Sequence, residues 1–133
     1  LNDALKEQVM VFMKEKINPY LIVLFGSAAK GTDRKDSDYD LAYLSDQVLG
    51  MYDRFMLAQE LAAIVNRDVD LIDLKEATTV FAAQVVGTGQ TIYCNDEKRR
   101  AIFEMKTLKM YARLNEERAI VLKRIRESGS VYE

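Results

Sequence analysis

The sequence predicts an α/β protein of the α+β kind, with short strands, interleaved helices and one long helix at its end. Three observations predict it. Apolar residues recur at helical spacing over residues 3–17 and 51–66. Beside these runs stand apolar stretches only as long as strands, at residues 20–25, 38–44 and 68–74. Residues 96–127 then contain neither Gly nor Pro.

Each element has its own signal. Leu5, Val9, Phe12, Met13 and Ile17 give residues 3–17 one apolar helical face, and Asn18-Pro19 ends that helix. The continuous apolar run 20–25 reads as a buried strand. Gly26-Ser27 turns the chain, residues 28–30 make one helical turn, and residues 31–37 form a polar loop. A second strand covers 38–44. The helix over 51–66 is expected to bury Met51, Phe55, Ala58, Ala62 and Val65. A third strand covers 68–74. Residues 76–86 form a helix that Gly87-Thr88-Gly89 breaks, and 90–94 form a short edge strand.

The last helix carries two apolar stripes at about 100° per residue. Ala101, Met105, Leu108, Ala112 and Ala119 lie on one, and Phe103, Met110, Leu114, Val121 and Ile125 lie nearly opposite. Lys98, Lys106, Lys109, Arg113 and Arg124 occupy a flank between them. A helix on a domain surface needs one apolar stripe. Either a bent or divided helix wraps a single core, or one stripe packs on the domain and the other on a second protein.

Length and composition limit the possibilities. The 133 residues suffice for one domain, expected to hold its sheet within about residues 20–95 and a helical segment at 96–127. Hydrophobic residues at 49% and charged ones at 30% exclude wholesale disorder. A formal net charge of -2 argues against a protein that coats nucleic acid. The charge is uneven. Residues 1–95 hold 9 Lys/Arg against 14 Asp/Glu, a balance of -5, and residues 96–133 hold 10 against 7, a balance of +3. The end of the chain is therefore a different kind of surface. One cysteine, Cys94, allows no intrachain disulfide, and with no His a zinc site is nearly excluded. A metal here would be held by oxygen, which selects magnesium or manganese. No stretch has the length and apolarity of a membrane span and none reads as a signal peptide, so a cytoplasmic location is expected.

One stretch breaks the apolar pattern. Asp38 and Asp40 open the second strand two residues apart, so they project to one side with Cα atoms roughly 6.5–7 Å apart. Like charges so close repel, and burial worsens the repulsion. A divalent cation relieves it, and two cations about 3.5–4 Å apart can activate phosphoryl or nucleotidyl transfer. A third carboxylate is offered by the next strand, where alternation puts Asp68, Asp70, Ile72 and Leu74 on one face; Asp70, with apolar neighbours on both sides, is the better placed. Gly26 lets the backbone approach a ligand, and Ser27 with nearby backbone N–H groups can cradle phosphate oxygens. Lys30, Arg34 or Lys35 could neutralise phosphate charge. Taken singly, a Gly-Ser turn, a solvated Asp-x-Asp or acids on an exposed edge are ordinary features. Their conjunction is not.

Gly26-Ser27, ten residues, then Asp38-Tyr39-Asp40 resembles the signature of the DNA polymerase β-like nucleotidyltransferase superfamily, over about residues 20–95. The small size, residues 69–74 and the long last helix are most similar to the minimal nucleotidyltransferases, among them the antitoxins paired with HEPN-domain ribonuclease toxins. The resemblance implies a palm-like short mixed β-sheet with packed helices. It implies that Gly26 and Ser27 bind the nucleotide triphosphate; the chain departs from the many relatives with Arg soon after Gly-Ser, since Ala28-Ala29-Lys30 stands there, and Lys30 is the nucleotide-binding candidate of that turn. Asp38, Asp40 and Asp70 would ligate two Mg2+ ions, with Asp70 as base. ATP would donate AMP to a tyrosine hydroxyl of the cognate toxin, docked through Phe103, Met110, Leu114, Val121 and Ile125. Neutralisation by steric covering with a vestigial site, or transfer to a small hydroxylated molecule, are the other readings.

Overall fold

The computed structural model describes residues 2–31 and 38–129. Helix α1 (Asp3–Ile17) starts where Asn2 Oδ1 accepts from Leu5 N–H at 2.8 Å, and ends at Asn18 in the left-handed conformation. Strand β1 (Pro19–Phe25) follows, then the single turn α2 (Ser27–Lys30). Strand β2 (Tyr39–Ser45), helix α3 (Met51–Val65), strand β3 (Val69–Asp73), helix α4 (Thr79–Thr88), strand β4 (Gln90–Cys94) and helix α5 (Glu97–Gly129) complete the chain.

The four strands form one mixed sheet in the order β3-β2-β1-β4. Pairing is antiparallel between β1 and both β2 and β4, and parallel between β2 and β3. β1 therefore leaves the sheet at the end where β2, β3 and β4 enter it. One face is covered by α1 and α3, whose Val9, Met13, Ile17, Leu57, Leu61 and Val65 pack against Ile22, Leu24, Leu41 and Tyr43. The opposite face carries Leu21, Val23, Ala42, Leu44 and Leu74, packed by Val85 and Phe81 of α4 and by Phe103 of α5. Burial on both faces explains why β1 reads as a continuous apolar run rather than an alternating one.

Three expectations are corrected. α3 buries Leu57, Ala58, Leu61 and Val65, while Met51 and Phe55 are 83% and 59% exposed. Its sequence is apolar on most sides, so periodicity cannot select the face that packing selects. α4 begins at Thr79, where the Thr78 hydroxyl accepts from Phe81 N–H, and it runs through Gly87 to Thr88. Gly89 closes it, with its N–H donating to Val85 O at 2.7 Å; a Cβ at 89 would overlap Val23 on β1, so glycine here permits the close approach of helix and sheet.

The third correction concerns α5. It is one continuous helix of 33 residues, about 50 Å long. Phe103, expected on the partner-facing stripe, packs on its own domain, and Thr107 is the buried residue of the helix. Met105 and Leu108, on the other stripe, are 63% and 48% exposed. Every residue from Asn115 to Ser128 is exposed, so the second half of α5 has no packing partner within the described chain.

Candidate active site

The sheet end where β1 leaves and β2 and β3 enter gathers the acidic residues. Asp40 pairs with Phe25 of β1 on one side and with Asp70 of β3 on the other, in parallel register. Adjacent strands lie about 4.8 Å apart, so the two carboxylates start from neighbouring Cα positions. Both share the side of Ala42, Leu44, Ile72 and Leu74, which is the α4 and α5 face. Asp38 is the residue before Tyr39 opens β2; its side chain is exposed. The Tyr39 N–H donates to Asp68 O at 2.9 Å and sets the start of the β2–β3 pairing.

Asp40 is the electrostatic centre. Burial, then the charge of Asp70, then that of Asp38, push its carboxyl above the ordinary aspartate range. β3 is an edge strand and Asp70 is exposed, as an edge position allows, yet its register keeps it beside Asp40.

Gly26 lies against the same carboxylate. Its φ of 73° and ψ of -153° belong to a region essentially reserved for glycine, and a Cβ there would overlap Asp40 Oδ2. The Gly-Ser turn and the second Asp of Asp-x-Asp are thus packed on one another. Ser27 opens α2 and Lys30 ends it, exposed. Arg34 and Lys35, the other basic candidates, lie outside the described residues.

A polymerase beta nucleotidyltransferase family profile matches residues 7–98. The chain belongs to that family. The match runs from within α1 to the first turn of α5 and contains Gly26, Asp38, Asp40 and Asp70. Among relatives of this nucleotidyltransferase, the protein adenylyltransferase MntA of Shewanella oneidensis is 40% identical over 102 residues, covering 77% of this chain and 73% of MntA. A chain in the crystal structure of a toxin–antitoxin with AMP-PNP superposes with a TM-score of 0.81 at 35% identity, over 90% of this chain and 97% of that one. A chain in the structure of a tri-AMPylated Shewanella oneidensis HEPN toxin in complex with an MNT antitoxin superposes with a TM-score of 0.78 at 31% identity, over 94% and 98%.

The donor set of this nucleotidyltransferase suits a hard cation. Asp70 and Asp38 both act on the Asp40 carboxyl, which is held above its usual range, so a cation bound there would offset their mutual repulsion. Among the described residues no three acidic, histidine or cysteine side chains close into a metal cage by themselves. Magnesium is commonly bound by one or two carboxylates with substrate phosphates and water completing the shell, and the arrangement fits that mode. Among the described residues no helix is long and apolar enough to cross a membrane.

Nothing local in the sequence singles out the far wall of the site. A cavity of about 210 Å3 beside Gly26 is lined by Phe81, Gln84 and Thr88 of α4. Those residues sit more than fifty positions from Gly26, and only the crossover of α4 from β3 to β4 brings them there.

Proposed function

We propose that this chain is an antitoxin that transfers AMP from ATP to a tyrosine hydroxyl of a cognate HEPN ribonuclease toxin. The observation that carries the reading is the in-register pair Asp40 and Asp70, with Gly26 packed on Asp40, in a chain 40% identical to a protein adenylyltransferase. Gly26 and Ser27 hold the triphosphate, and Lys30 neutralises part of its charge. Magnesium bound by Asp38, Asp40 and Asp70 together with the phosphates would supply charge neutralisation at the α-phosphate. Asp70 takes the phenolic proton of the acceptor tyrosine. The phenolate oxygen bonds to the α-phosphorus, the bond from that phosphorus to the β-phosphate oxygen breaks, and pyrophosphate leaves with the electron pair. An adenylate on the toxin adds bulk and negative charge where RNA would bind.

The toxin docks on α5 in this reading. Met110, Val121 and Ile125 are each more than half exposed, as is Met105, and Lys106, Lys109 and Arg113 line a groove of about 600 Å3 along the same helix. A half-helix with no packing partner among the described residues and apolar residues on several sides is suited to burial against another protein.

The test uses the chain, a cognate HEPN toxin, ATP and magnesium, with the toxin weighed by mass spectrometry. A gain of one or more AMP units, absent with Asp40→Asn, is expected. No gain on a folded, active ribonuclease would overturn the reading. The long uncovered helix also supports a second reading, neutralisation by covering alone. Asp38→Ala with Asp40→Ala, still protecting cells at equal expression, would establish covering as sufficient.

A further inference from the structure

The cavity beside Gly26 has a place in the reaction that its chemistry and position define. We propose that Gln84 of α4, with Lys30, holds the terminal phosphates of the nucleotide donor and the pyrophosphate that leaves. This rests on the nucleotidyl-transfer reading above and assigns the far wall of that site.

Position is the first argument. In an in-line displacement the attacking and leaving oxygens stand on opposite sides of the phosphorus. The sheet order is β3-β2-β1-β4, with Asp70 on β3, Asp40 on β2 and Gly26 at the end of β1. An acceptor deprotonated by Asp70 attacks from the β3 side, so the leaving group is expelled toward β1. With strands about 4.8 Å apart, the β- and γ-phosphates pass over Gly26 and reach the space beyond it. The cavity occupies that space, between the end of β1 and the last turns of α4.

Chemistry is the second. Among the described residues the lining contains Lys30, Gln84 and Thr88 as its polar members, and no carboxylate. Phe25 and Phe81, edge to face at 5.5 Å, and Val85 make the rest of the wall apolar, which strengthens a charge-assisted hydrogen bond at its surface. The Thr88 hydroxyl already donates to Gln84 O at 2.7 Å, leaving the Gln84 side chain as the donor from α4. α4 also ends here, and the partial negative charge of its terminal carbonyls opposes an anion. One lysine and one neutral amide against that field can position pyrophosphate without trapping it. At about 210 Å3 the cavity is smaller than the roughly 300–1,000 Å3 of pockets that enclose a whole small-molecule ligand, as suits one end of a nucleotide.

The experiment measures binding by calorimetry in magnesium, with inorganic pyrophosphate and AMP as separate probes, for the wild-type chain, Gln84→Ala and Gln84→Glu. Gln84 is exposed on a helix, and all three residues are compatible with that position. Gln84→Ala is expected to weaken pyrophosphate about tenfold, the loss of one hydrogen bond to a charged group, and Gln84→Glu to weaken it further, with AMP affinity unchanged. Weakened AMP binding with pyrophosphate unaffected would give the cavity to the nucleoside and overturn the proposal. So would an unchanged affinity for both probes. A wild-type chain that binds ATP, AMP and pyrophosphate not at all would overturn the nucleotidyl-transfer reading as well.

Discussion

Asp40 on β2 and Asp70 on β3 are direct register partners on adjacent parallel strands. Two acids so placed, with Asp38 two residues before one of them, repel in the ligand-free chain. Burial first, and then that repulsion, holds the Asp40 carboxyl above its usual range.

Removing the Asp40 charge should therefore stabilise the protein while ending its activity. A carboxyl whose pKa is raised on folding contributes stability below the unfolded value, about 3.9, and that contribution is lost as pH rises through the folded value. Wild-type stability in the absence of magnesium should fall as pH rises above the ordinary aspartate range, and Asp40→Asn should remove this dependence. At pH 7 the variant should melt about 2–4 °C higher and transfer no AMP. Thermal melts across pH, paired with the mass assay, check both halves.

Asp70→Asn tests the Asp70 carboxylate, as base and cation ligand together. It leaves the β2–β3 ladder intact and an amide in place of the carboxylate, so the fold should hold. Transfer should fall about 10²–10⁴-fold, the range for removing a general base. Single-turnover kinetics at saturating ATP reads that loss in the chemical step rather than in assembly of the complex.

Gly26→Ala should fail for two independent reasons. The backbone there is at φ 73°, and the added Cβ overlaps Asp40 Oδ2. A cost of about 2–3 kcal/mol in urea unfolding is expected, along with loss of transfer. An active, fully stable variant would contradict the close packing of the Gly-Ser turn on the acid.

Val121→Asp with Ile125→Asp separates docking from folding. Both residues are more than half exposed, so stability of the isolated chain should change by less than about 0.5 kcal/mol. Affinity for the HEPN partner should fall about 30-fold or more if this half of α5 carries the anchor contacts. Denaturant melts and titration calorimetry give the two numbers.

Tyr43→Phe addresses the core. The Tyr43 hydroxyl is buried and outside close hydrogen-bond geometry, but the Arg54 guanidinium lies beside it as a weak, charge-assisted donor. Removing a hydroxyl held by so weak a contact should change stability by less than about 1 kcal/mol in either direction, measured by urea unfolding.

Much of this architecture was legible residue by residue. α1 was readable from the spacing of Val9, Met13 and Ile17 and from Asn18-Pro19, and β1 from an unbroken apolar run, because these signals act within a few positions of chain. Met51 and Phe55 were misassigned to the core for the opposite reason. α3 is apolar on most of its circumference, and the choice of face depends on what it packs against. Phe103 was misassigned likewise. Two stripes were visible on α5, and which one meets the sheet is settled by the crossing of α5 over Leu74 and Val85.

The amino-acid sequence by itself determined the succession of helices and strands, the Gly-Ser and Asp-x-Asp spacing, and the presence of an acid in the third strand, since each depends on neighbours along the chain. Tertiary structure alone decided that Asp70 stands opposite Asp40, that Gly26 rests on that same carboxylate, that Gln84 walls the cavity beyond it, and that half of α5 is left uncovered. Strand register and helix docking arise from contacts between residues tens of positions apart, and local periodicity carries no information about which of those distant surfaces will meet.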